Sequence, residues 1–93
     1  MKTTENGKRY DSDKCETLAE REHSDGNNNY SGTSYIVRAS DGQLLIHIKS
    51  NGQDGYLRNA LYVPSELIDF DRYDMDDDQE ARCAELGLIT IID

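Results

Sequence analysis

The sequence has no tryptophan, one proline, one phenylalanine, two cysteines and two histidines among its 93 residues. Each scarcity excludes something. Cys15 and Cys83 lie far apart without C-x-x-C spacing, and together with His23 and His47 they give no zinc-ligand pattern. They are read as reduced thiols, the usual state in a cytoplasmic protein. Long hydrophobic runs are missing too. The longest, Leu88–Ile92, is broken by Thr90 and is too short to span a bilayer. The segment Met1–Gly7 lacks the apolar stretch of a signal peptide. Basic side chains are few: 10 Lys and Arg against 19 Asp and Glu leave a formal charge of −9 and a pI near 4.5. Such a chain is poorly suited to hold a nucleic-acid backbone or an anionic membrane, both of which need clustered cations. Charge selects basic partners instead. The length allows one domain, 1–93, with one modest core.

What is abundant is acid, and its position matters more than its sum. Residues 1–65 carry 9 acidic and 8 basic side chains, close to neutral. Residues 66–93 carry 10 acidic side chains against Arg72 and Arg82, a net of −8. Seven carboxylates, Asp69, Asp71, Asp74, Asp76, Asp77, Asp78 and Glu80, fall within twelve residues. Concentrating like charge costs self-repulsion that dispersed charge would avoid, so the block reads as a surface with a task, the alternative being a solvated acidic face that only keeps the protein soluble.

The pattern along the chain predicts a small α+β domain: an antiparallel sheet of three to four strands with two short helices. Residues 1–12 form an arm or short strand. Asp13 and Glu16 have capping-box spacing, which predicts a first helix over about Asp13–Glu22 with Cys15, Leu18 and Ala19 on one face. The polar run 23–32 predicts a flexible loop. Ser34–Arg38 and Leu44–Lys49 are β-rich runs joined across Asp41-Gly42, a tight hairpin turn. In the second run Leu44, Ile46 and Ile48 are expected to face the core, and Leu45, His47 and Lys49 to face outward. Tyr56–Val63 predicts a third strand ended by Pro64. Residues 66–86 form the acidic segment and a second helix, about Asp76–Leu86, whose acidic start suits the positive end of the helix dipole and whose end is marked by Gly87. Leu88–Ile92 predicts a final buried strand.

No nucleophile has a His and carboxylate partner in the sequence, and no glycine-rich phosphate loop is present, so the protein is read as no enzyme and without cofactor. Asp74, Asp76, Asp78, Glu80 and Glu85 fall at positions 1, 3, 5, 7 and 12 of a calcium-loop numbering. Position 6 is Gln79 where the loop needs glycine, and the segment prefers helix, so no metal is assigned. The remaining use is a binding surface. Carboxylates at i, i+3 and i+4 of a helix stand about 5–6 Å apart, comparable to phosphates along a strand, so the block imitates backbone charge. Asp69, Asp71, Tyr73, Asp74, Asp76, Asp77, Asp78 and Glu80 are the expected contact residues, with Tyr73 as the aromatic anchor inside the block. The expected partner is a basic nucleic-acid-binding protein, with no direct contact to nucleic acid or membrane. The alternative is a protein-binding module that uses the sheet face bearing Tyr35, Leu45 and His47.

Three segments carry a resemblance. Asn6-Gly7-Lys8-Arg9-Tyr10-Asp11-Ser12-Asp13 resembles the "NGK-x-YDTET" opening of a family of small proteins encoded by phages and mobile elements of Gram-positive bacteria. Ile36–His47 is similar to that family's "LYRT-x-x-G-x-YFLH" hairpin. Glu80-Ala81-Arg82 with Ala84-Glu85 resembles its acidic C-terminal helix. Together they touch about half the chain. The chain departs from the pattern at Lys14-Cys15, in an aliphatic rather than aromatic hairpin core, and in Asp69–Met75, which looks like an insertion carrying much of the acid. Members of this family include anti-CRISPR proteins. The resemblance therefore implies a phage or prophage inhibitor acting in the bacterial host cytoplasm as a DNA mimic, with a CRISPR-Cas effector as its target.

Overall fold

The computed structural model describes residues 1–24, 30–52 and 57–92. Strands β1 (Lys2–Glu5) and β2 (Lys8–Asp11) form a two-stranded hairpin. Strands β3 (Glu16–Ser24), β4 (Tyr30–Arg38), β5 (Leu44–Ser50) and β6 (Ala60–Tyr62) form an antiparallel sheet in sequence order. Among the described residues one α-helix, α1, spans Asp77–Glu85, and 3-10 turns occupy Ser12–Lys14 and Phe70–Arg72. The class is α+β as expected, but the described residues contain one α-helix rather than two.

The expected first helix is a strand. Asp11, not Asp13, acts as a cap: its side chain accepts the Asp13 N–H and closes the 3-10 turn. The chain then pairs with β4 along its full length, and that ladder overrides the local helix signal. A register shift between Thr17 and Ala19 marks a β-bulge. It lets the consecutive residues Leu18 and Ala19 join the same cluster, so the strand lacks the period-two alternation that would identify it. Part of the run 23–32 predicted as a loop is strand. His23 and Ser24 end β3, Tyr30–Gly32 begin β4, and only residues 25–29 lie outside the described part. Residues 1–12 form a full hairpin because Asn6 and Gly7 both adopt positive φ, 51° and 79°, as a two-residue turn requires.

The β4–β5 turn is as the sequence indicates. Gly42 sits at φ 91°, and the Asp41 carboxylate accepts the Gln43 N–H. The assignment of faces is half right. Ile46 packs with Leu18, Ala19, Ile36 and Cys83, joined by Leu44 and Ile48. The opposite face is covered as well: Leu45 joins Tyr10, Val37, Ala39 and Leu61 beneath the hairpin. Leu45 is fully buried and His47 is 9% exposed. The sheet thus has a core on each face, one under β1–β2 and one under α1.

The third strand is only Ala60–Tyr62, with Tyr56 outside the described residues. Leu88–Ile92 forms no strand. A complete Schellman closure explains this: Gly87 at φ 75° donates to the Ala84 carbonyl and Leu88 to the Cys83 carbonyl. That geometry ends the helix, and the segment after it joins no sheet. Leu88 and Ile89 pack against the Leu18–Ile36–Cys83 cluster, while Ile91 and Ile92 are 52% and 84% exposed.

Candidate functional site: an acidic segment on the sheet edge

The acidic segment is held by its alternate residues. Ile68, Phe70, Tyr73 and Met75 pack against the Leu18–Ile36–Cys83 cluster. Between Tyr73 and Met75, Asp74 forms an isolated antiparallel bridge with Glu20 at the outer edge of β3. Its N–H donates to the Glu20 carbonyl at 2.7 Å, and the Glu20 N–H returns to the Asp74 carbonyl at 3.0 Å. With its neighbours turned to the core, the Asp74 side chain remains on the outside. Upstream, the Asp69 carboxylate accepts the Asp71 N–H and pairs with Arg72 at 3.3 Å.

Downstream, Asp76 is the N-cap of α1. Its carboxylate accepts the Gln79 N–H at 2.7 Å, and the Gln79 side-chain oxygen accepts the Asp76 N–H at 3.0 Å. This reciprocal pair is a capping box; the Asp13–Glu16 spacing, by contrast, forms none. Asp77, Asp78 and Glu80 occupy the first turn, where the exposed N–H groups favour negative charge. The helix is fixed to the sheet by fully buried Cys83 and by Arg82, which grips Glu16 at 2.9 and 3.2 Å and Glu85 at 3.0 Å. Burial raises the Cys83 thiol pKa, as it does for Cys15, and the two thiols lie in clusters on opposite faces of the sheet.

All seven carboxylates from Asp69 to Glu80 are exposed. Among the described residues, Asp69 is the one member held in an ion pair. Asp71, Asp74, Asp76, Asp77, Asp78 and Glu80 present their charge outward. Tyr73 does not. It is half-buried, and burial is the main cause of its raised phenol pKa, with Tyr62 nearby adding to it. Tyr73 anchors the segment inward, and the exposed aromatic beside the block is Tyr62, at 41%. Glu20 was also outside the expected site. It joins through a backbone bridge between residues remote in sequence, which leaves no local signal.

The helical conformation of 77–85 removes the calcium-loop reading, since that loop needs irregular backbone around its ion. No group of three or more His, Cys, Asp or Glu converges as a ligand set among the described residues. The sheet face proposed as the alternative surface is covered: Leu45 and His47 are buried, and Tyr35 is half-buried with Lys49 Nζ 5.5 Å from its ring centroid. No described helix is long and apolar enough to cross a membrane. No protein-family model, curated protein or solved structure matches the chain.

Proposed function

We propose that the protein is a small acidic inhibitor that acts by binding, occupying the nucleic-acid-binding surface of a basic protein through residues 66–85. One observation carries this reading: six outward carboxylates, free of ion pairs among the described residues, stand on a segment tied at both ends to the core. A solvated tail would bear the same charge without fixed spacing. Here Tyr73, the Asp74 bridge and the capping box order the segment before it meets a partner, so less conformational entropy is lost on binding. The target class is the one the family resemblance implies, a CRISPR-Cas effector, whose channel attracts phosphate charge by the same long-range field.

The test is competition for DNA on a Cas effector. The variant Asp71→Asn/Asp77→Asn/Asp78→Asn/Glu80→Gln spares the Asp76 cap and the Asp74 bridge, so the fold is retained. It is expected to bind the effector at least about tenfold more weakly, equivalent to about 1.4 kcal/mol, and the wild-type affinity is expected to fall steeply as ionic strength rises. Undiminished DNA displacement by the folded variant refutes charge mimicry.

A further inference from the structure

On the other side of the sheet the charge is reversed. The β1–β2 hairpin, the 3-10 turn after it and the β4–β5 turn enclose an open groove of about 590 Å³. Lys2, Lys8, Arg9 and Lys14 line it, with Asp11 and Asp41 as its carboxylates. Both carboxylates are engaged within the fold. Asp41 accepts the Gln43 N–H, the Tyr10 hydroxyl at 2.9 Å and Lys8 at 3.5 Å, and Asp11 accepts the Asp13 N–H. The cations are less committed. Lys2 and Lys14 have no hydrogen bond or ion pair among the described residues, and Arg9 spends one guanidinium nitrogen on Thr4. The floor adds no negative charge, because burial raises the pKa of both the Tyr10 hydroxyl and the Cys15 thiol. Ser40 places an exposed hydroxyl at the rim.

We propose that this groove binds a small phosphate-bearing ligand, of about nucleotide size. Two lysines and an arginine bordering one groove suit a dianionic phosphate, to which each can give a charge-assisted hydrogen bond. The size follows from the rest of the molecule. The groove holds four cations against two carboxylates, so the remainder of the chain carries −11. A polyanion long enough to leave the groove meets that charge and is repelled, whereas a ligand held within it is not.

The probe is sodium pyrophosphate, titrated at low ionic strength into the wild-type protein and followed by backbone amide NMR. Saturable shifts are expected at Lys2, Lys8–Lys14 and Ser40–Gly42, with half-saturation below about 10 mM. Lys2→Ala/Lys14→Ala is expected to weaken binding about tenfold or more, Lys2→Arg/Lys14→Arg to preserve it, and Asp77→Asn/Asp78→Asn to leave the shift pattern in place. Absence of saturation, shifts centred elsewhere, or an unaltered affinity in the alanine variant overturns the proposal. Tighter binding of a single-stranded oligonucleotide in the same groove also overturns it, by assigning the site to a polymer.

Discussion

Asp76 has two roles that a charge count cannot separate. It belongs to the acidic block, and its carboxylate also satisfies a backbone N–H at the start of α1. Replacing it with alanine removes the cap and is expected to cost about 1 kcal/mol, seen as a melting temperature lower by roughly 4–8 °C. Reversing its charge to probe binding would therefore confuse lost affinity with a frayed helix. Asp74 shows the opposite tension. It lies directly across from Glu20 in an antiparallel bridge, with both side chains exposed. Like charges in that position oppose each other, so Asp74→Asn is expected to raise stability by about 0.2–1 kcal/mol, measured by denaturant unfolding. Gly32 is fixed by close approach: a Cβ there would stand 2.3 Å from the Lys49 carbonyl oxygen and 2.6 Å from Leu57 Cδ2. Gly32→Ala is expected to destabilise the protein by about 2–4 kcal/mol, again by denaturant unfolding.

Among the elements, those closed by local chemistry were the legible ones. The β4–β5 hairpin follows from Asp41-Gly42, and α1 from an acidic start and a terminal glycine. The β1–β2 hairpin carries its own turn signal in Asn6-Gly7. The misread elements depend on distant partners. β3 is a strand because β4 pairs with it, and its bulge hides the alternation. Leu88–Ile92 has strand composition, but after the helix closure it pairs with no strand: Leu88 and Ile89 pack on the core while Ile91 and Ile92 face solvent. The same division holds at the site. The exposed carboxylates could be read from sequence, whereas the inward turn of Tyr73 and the bridge to Glu20 could not. The tie between α1 and β3 is also non-local: Arg82 reaches Glu16 beside the buried Cys83. Arg82→Ala is expected to speed amide hydrogen exchange across α1 more than in β4 and β5, since it releases the helix while leaving the ladder intact.

At the scale of the whole molecule, acid weakens the fold through its histidines. Burial, with Lys49 and the N-terminal ammonium nearby, holds His47 below its ordinary pKa, against a small opposing pull from Asp13. Burial and Arg21 do the same to His23, whose Nε2 lies 2.7 Å from the Ser34 hydroxyl. A depressed folded-state value means that the neutral ring stabilises the fold above about pH 6.5. That contribution is lost as the pH falls below this value and the folded protein must accept the proton. The melting temperature is expected to drop between about pH 7.5 and pH 5, and to drop less in His47→Gln. The arrangement of charge across the sheet has a consequence of a different kind. With cations gathered under the hairpin and carboxylates along the β3 edge and α1, the protein is a permanent electric dipole. In the field of a strongly positive surface it experiences a torque before it touches anything. It arrives with its acidic end leading, so an encounter spends little time on rotational search.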